Sequence, residues 1–88
     1  MLITILESSM THSKEDGYVG KVEFRVDNHK QPYEITLYRK KGKEWSYSLN
    51  FLKDSGGEEE IEAVEELLEE NDEIYELLVE AAKSKLQE

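Results

Sequence analysis

The sequence predicts a two-layer α+β fold: a four-stranded antiparallel sheet in meander order, with two C-terminal amphipathic helices packed on one face (ββββαα). Two observations predict it. In the first 53 residues, four stretches alternate apolar and polar side chains with period two, and from residue 57 onward the apolar residues recur at helical spacing. A length of 88 residues is typical of one domain. We therefore expect a single domain over residues 1–88, with the sheet in 1–53 and an acidic helical segment in 57–87.

The predicted strands are Met1–Glu7, Tyr18–Asp27, Tyr33–Lys40 and Glu44–Lys53. In the last three, alternation separates an apolar face from a face of Ser, Thr, Asn and charged residues, as in antiparallel sheets with one side in water. The first stretch alternates less cleanly, because Leu2 and Leu6 compete with Ile3 and Ile5. It is compatible with burial on both faces, and with a place at an edge or between two neighbours. The residues predicted to face the core are Tyr18, Val22, Phe24, Val26, Tyr33, Ile35, Leu37, Trp45, Tyr47, Leu49 and Phe51.

The connections between the predicted strands are typical of a meander. Residues 27–32 are rich in turn formers, and Pro32 can open the next strand without removing a ladder hydrogen bond. Residues 40–43 (Lys-Lys-Gly-Lys) predict a tight hairpin. Ser8–Gly17 is largely polar and predicts a ten-residue loop, the longest and most mobile connection.

Two helices are predicted after residue 57. Ser55 and Glu58 have the spacing of a capping box, in which each side chain accepts from an unpaired amide of the first turn. Asn71 and Asp72 interrupt the apolar pattern, and both are good N-cap residues. We prefer two helices to one, because an unbroken helix would be about 45 Å long and would overhang strands of ten residues. The two apolar stripes are Ile61, Val64, Leu67 and Leu68, followed by Ile74, Leu77, Leu78, Ala81 and Ala82.

Several functional classes lack a motif in this sequence. There is no Cys, which excludes a disulfide framework and a thiolate metal site. The apolar runs are too short to span a bilayer, and no basic leader precedes them, so we expect a cytoplasmic protein. His12 and His29 fall in predicted loops, and Gly56-Gly57 is not followed by the Lys of a phosphate-binding loop. We expect no enzyme activity, no cofactor and no metal site.

The negative charge is concentrated in the last third of the chain. Net charge is −10, yet residues 1–57 contain nine Lys and Arg and eight acids, whereas residues 58–88 contain two Lys and thirteen acids. Within the two predicted helices, six pairs of these acids stand at i,i+4, from Glu58–Glu62 to Glu76–Glu80. Such like-charge pairs cost roughly 0.2–0.5 kcal/mol each. A helix shaped by stability alone would place Lys at some of these positions, and only Lys83, three residues after Glu80, comes near to this.

These acids predict a docking surface for a basic protein partner, one whose own ligand could be a nucleic acid. Carboxylates at i,i+4 rise about 6 Å per step, which is of the same order as the spacing of nucleic-acid phosphates. The bland interpretation is that the acids only keep a small protein soluble. The predicted partner-binding residues are Glu62, Glu65, Glu66, Glu69, Glu70, Glu73, Glu76 and Glu80.

A second hypothesis places a weak single-stranded nucleic-acid site at the basic hairpin. Basic residues beside aromatic rings are the ingredients of such sites, although Trp45 is predicted to face the core and a net charge of −10 opposes a polyanion. The bland interpretation is a charged hairpin that discourages edge-to-edge aggregation. A variant pairs this tip with the acidic helices of a second copy, so that the protein is a monomer or a homodimer. The residues of this alternative site are Tyr38, Arg39, Lys40, Lys41 and Lys43.

In size and composition the chain is similar to small bacterial and phage proteins, among them nucleic-acid mimics that inhibit enzymes of the host. The likeness involves no residue motif and transfers no site. The sequence therefore predicts a non-enzymatic binding module or inhibitor, and the alternatives are the weak nucleic-acid binder and a plain soluble domain.

Overall fold

The computed structural model describes residues 2–39, 45–53 and 55–85, and it shows four strands followed by two helices. β1 (Ile3–Ser13), β2 (Gly17–Val26), β3 (Tyr33–Arg39) and β4 (Ser46–Phe51) form one antiparallel sheet in the order β1-β2-β3-β4. α1 (Glu58–Glu70) packs against β4, and α2 (Asp72–Lys83) packs across β1 and β2. The predicted α+β fold in the order ββββαα is confirmed.

The core lies between one face of the sheet and the two helices. Alternate residues of β2 and β3 point into it and are fully buried or nearly so, because apolar side chains that share a pleated face leave water together. Aromatic rings join the strands: Phe24 stacks on Tyr33 with centroids 5.6 Å apart, and Tyr33 stacks on Phe51 at 5.4 Å. The predicted core-facing residues all lie on this face, with Tyr18, Trp45 and the β4 residues only partly buried.

The prediction of a mobile loop at Ser8–Gly17 was wrong. β1 continues to Ser13, which pairs with Gly17, and a three-residue turn at 14–16 closes the hairpin. Met10 provides the physical reason, because it is buried over Gly20, where an added Cβ would lie 2.9 Å from its terminal methyl carbon. On the opposite face of this part of β1, Ser and Thr side chains are exposed to water. The segment therefore forms a strand although its sequence does not alternate apolar and polar residues. His12 accordingly lies in β1 and not in a loop.

β1 is an edge strand, and the possibility that residues 1–7 are buried on both faces is excluded for the described part of this segment. Ile3 and Ile5 are half-buried against the core, whereas Leu2 is 72% exposed and Leu6 is 47% exposed. The pairing register with β2 shifts between Ile5 and Glu7, so Leu6 is the extra residue of a bulge.

The start of α1 differs from the predicted capping box. Gly57 is the N-cap, without a side-chain hydrogen bond, and its carbonyl accepts from the amides of Glu60 and Ile61. Ser55 stands two residues before this N-cap, outside the position from which a hydroxyl caps the first turn.

The predicted break between the two helices is confirmed. The Asn71 amide donates to the Leu67 carbonyl at 2.8 Å and closes α1, and the Asn71 Oδ1 accepts from the Ile74 amide at 3.3 Å and caps α2. α2 ends at Lys83, before the predicted boundary at 87. In the ranges that the structure describes, neither helix has the length and apolar character needed to cross a bilayer.

Candidate acidic docking surface

All eight predicted partner-binding residues are exposed on the helices. Five belong to α1 and three to α2. The apolar stripes of both helices turn inward, with Val64, Leu68 and Leu78 buried, except at Leu77, which was predicted to belong to the second stripe and is 50% exposed. Periodicity therefore separates the carboxylates from the core. We call these eight residues the acidic surface: Glu62, Glu65, Glu66, Glu69, Glu70, Glu73, Glu76 and Glu80.

The acidic surface is not one flat face, because the α1 carboxylates project to different sides of the helix. Successive residues are about 100° apart around an α-helix. Glu60 accepts from the Lys30 amide at 3.2 Å, so the flank containing Glu60 faces the β2–β3 connection. Glu65 and Glu69 lie on the opposite flank, and their charges are close enough to β4 to raise the pKa of the Tyr47 phenol. In α2, Glu73, Glu76 and Glu80 fall within about 60° of one another and form a single ridge.

Little positive charge balances these carboxylates. Within the described residues there is one ion pair, between Lys83 Nζ and Glu80 Oε1 at 3.4 Å, and both side chains are largely exposed. Such surface pairs contribute about 0–1 kcal/mol. α1 contains eight glutamates and no Lys or Arg. The negative field of α1 is therefore directed into solvent.

Two tyrosines mark the boundary between the acidic surface and the core. The rings of Tyr47 (β4) and Tyr75 (α2) lie 5.7 Å apart. Burial raises the pKa of the Tyr47 phenol above its ordinary value of 10.0, and the nearby charges of Glu69 and Glu65 raise it further. Burial also raises the pKa of Tyr75, with a smaller effect from Tyr47, and the Tyr75 hydroxyl is buried without a hydrogen-bond partner among the described residues. The negative charges of Glu65 and Glu69 on α1 thus affect the ionisation of a side chain in β4.

The alternative basic site is divided between the two faces of the sheet. Tyr38 is exposed on the open face. Arg39 lies on the other face, where its guanidinium carbon is 4.9 Å from the centroid of the Tyr18 ring and 5.3 Å from that of Trp45. Lys40, Lys41 and Lys43 lie outside the described residues. Tyr38 and Arg39, the two described residues of this site, therefore do not share a surface.

An aromatic stack beside Arg39 was missed by sequence reasoning. The His12 ring lies 4.4 Å from the Tyr18 ring, and Tyr18 lies 6.3 Å from Trp45. With Arg39, these side chains form one row across the end of the sheet. The stack could have been predicted from the pairing of His12 with Tyr18, but that pairing requires β1 to continue beyond Glu7, where the predicted strand ended.

Among the described residues, one hydrogen bond joins a histidine to a hydroxyl group: His29 Nδ1 lies 2.7 Å from the Tyr33 hydroxyl oxygen. His12 faces the Tyr18 side of β1, whereas Thr11 and Ser13 point to the other side, as adjacent strand residues must. The Thr11 hydroxyl donates to the Val19 carbonyl, and the Ser13 hydroxyl accepts from a turn amide. No group of three or more His, Asp or Glu is arranged to hold a metal ion within residues 2–39, 45–53 and 55–85.

Comparison with known protein families, with curated proteins and with solved structures finds no match for this chain.

Proposed function

We propose that this protein is a non-enzymatic binding module that docks its acidic surface on a basic protein partner, and that it excludes nucleic acid from the groove it occupies. The observation that supports this most directly is the unbalanced charge of α1. Eight glutamates on 13 residues, without one cation, cost stability through like-charge neighbours. The positive charges of a basic partner would attract these glutamates and so offset their mutual repulsion.

The exposure of the carboxylates supports the same proposal. Charged side chains that are already surrounded by water lose little on approach to a complementary surface, and their summed field accelerates association. Docking of this kind weakens as salt rises, because ions screen exposed charges beyond about 8–10 Å at physiological ionic strength.

A capture experiment with two matched variants tests the proposal. The helix variant contains Glu62→Gln, Glu66→Gln and Glu76→Gln. The control variant contains Glu7→Gln, Glu23→Gln and Glu34→Gln, which form a row across the open face of the sheet. Both variants lose the same amount of negative charge, so a difference between them reports position and not net charge.

The wild type is expected to retain basic proteins that elute at moderate salt and that no longer hold a labelled oligonucleotide while the chain is bound. The control variant should retain the same proteins, and the helix variant should lose them. Equal retention by the two variants would exclude the acidic surface as the docking site. A direct titration of the chain with labelled oligonucleotide at about 50 and 200 mM salt tests the alternative, because a basic-tip binder must show salt-sensitive affinity and an acidic mimic none.

A further inference from the structure

β4 has an open edge that lacks the usual protection against pairing. It lies at the end of the sheet, and among the described residues β3 is the one strand that pairs with it. Exposed edge strands commonly contain a charge, a proline or a bulge that prevents another strand from adding to them. β4 (Ser-Tyr-Ser-Leu-Asn-Phe) contains no charged residue and no proline, and its register with β3 is uninterrupted.

The backbone groups on this open edge can be assigned from the hydrogen bonding. The Leu52 amide donates to the Pro32 carbonyl at 3.1 Å, which continues the β3–β4 ladder by one pair. Because alternate residues of an antiparallel strand point to alternate sides, Ser46, Ser48 and Asn50 face β3. The amides and carbonyls of the other three residues, Tyr47, Leu49 and Phe51, therefore point away from the sheet.

α1 places negative charge along the same edge. The helix runs beside β4, and the lengths match, since 13 helical residues and 6 strand residues each span about 20 Å. Glu65 and Glu69 lie on the flank of α1 opposite Glu60, which accepts from the Lys30 amide of the β2–β3 connection. Both are close enough to β4 for their charges to raise the pKa of the Tyr47 phenol. A strand added to β4 would lie near these carboxylates.

The other edge of the sheet and a second copy of the chain are poorer matches. β1 has a bulge at Leu6, and Lys85, which follows α2, lies beside residues 5–8 of this strand. If two copies paired through β4, their α1 helices would lie side by side, each with eight glutamates and no cation. Charge therefore favours a basic occupant at β4 over a second copy.

We propose that an extended, lysine- or arginine-bearing segment of the partner adds to β4 as a fifth, antiparallel strand. Its backbone pairs with Tyr47, Leu49 and Phe51, and its basic side chains alternate toward Glu65 and Glu69. This inference rests on the proposed function, because it specifies how the basic partner is held. It also requires more than charge, since strand addition needs free amides in the ligand.

Three synthetic peptides of about eight residues, long enough to span β4, test the inference. Each alternates lysine and threonine and has blocked ends. One is unmodified, one is N-methylated on the lysines, and one is N-methylated on the threonines. In an antiparallel pair the residues whose side chains share a face with Tyr47 also direct their amides at β4, so only methylation of the lysines blocks pairing. The two methylated peptides have equal charge and equal bulk.

Affinity is measured by fluorescence anisotropy, and amide hydrogen exchange is followed by NMR. The lysine-methylated peptide should bind at least about tenfold more weakly than the unmodified peptide, because it cannot donate about three hydrogen bonds, whereas the threonine-methylated peptide should bind nearly normally. The unmodified peptide should slow exchange at Tyr47, Leu49 and Phe51. The amides of Ser46, Ser48 and Asn50 are the internal control, because the sheet already protects them.

The other outcomes separate failure of this inference from failure of the proposed function. If all three peptides bind equally and exchange at Tyr47, Leu49 and Phe51 is unchanged, docking is by charge alone and strand addition is overturned. If these three amides become protected without peptide as protein concentration rises, a second copy occupies the edge and the inference is again wrong. If no peptide binds while basic proteins are still captured, strand addition fails and the acidic surface stands; if neither binds, both fail.

Discussion

Glu66 is the position where the electrostatic cost of the acidic surface can be measured most directly. It is exposed near the middle of α1, with Glu62 four residues before it and Glu70 four residues after it. Glu66→Lys replaces two repulsive pairs by two attractive ones. At about 0.2–0.5 kcal/mol per pair in each direction, the free energy of unfolding should rise by roughly 0.8–2 kcal/mol.

Glu59→Lys is the matched control. Glu59 lies on the same helix and is also exposed, but it has no acid at i−4 or i+4, one acid (Glu62) at i+3, and stands in the first turn. A cation there opposes the helix dipole at a cost of about 0.3–1 kcal/mol, which offsets the gain of about 0.4–1 kcal/mol from the pair with Glu62. The two variants have the same net charge, and the stability of Glu59→Lys should stay close to that of the wild type while Glu66→Lys gains.

Urea unfolding and thermal melting at low salt measure both changes. For a domain of this size, 1 kcal/mol corresponds to about 4–8 °C in Tm. The gain from Glu66→Lys should shrink in about 1 M salt, where the screening length falls to about 3 Å. If both variants gain stability equally, the effect comes from net charge and the ladder has no cost of its own, which would remove the main support for a docking role.

Three further predictions concern the fold itself. Gly20→Ala should destabilise the protein by about 1–3 kcal/mol in urea unfolding, because the new methyl would stand 3.0 Å from Ala82 Cβ, and a cost near zero would show that α2 can move away. Asn71→Ala should lose about 1 kcal/mol, since Oδ1 no longer accepts from Ile74, whereas Asn71→Asp should keep most of it. Stability should fall as pH rises above about 10, because folding raises the pKa of the Tyr47 phenol and the unfolded state ionises first; Tyr47→Phe should reduce this alkaline loss, and an unchanged profile would contradict it.

The fold was predictable from the sequence where each residue's neighbours in the chain decide its position. In β2 and β3, alternation alone places Val22, Phe24 and Ile35 in the core, and the Asn71 break follows from local capping. The second half of β1 was not predictable in this way. Its strand is specified by a tertiary fit, the packing of Met10 over Gly20, which is separated from it by ten positions.

The exposure of the acidic surface was predictable for the same local reason, but its relation to the sheet was not. Helical periodicity separates Glu65 and Glu69 from the buried Val64 and Leu68. That these two acids lie near Tyr47 of an edge strand depends on the strand order and on which flank of α1 faces Lys30. Neither can be obtained from spacing along the chain.

Asn71 joins the two helices without any intervening linker, since it both terminates one and initiates the next. The outermost strands of the sheet share no backbone contact, yet α1 rests on β4 and α2 rests on β1 and β2. Asn71 has an extended backbone (φ −118°, ψ 95°) between two helical segments, so the angle between α1 and α2 is set at this single residue.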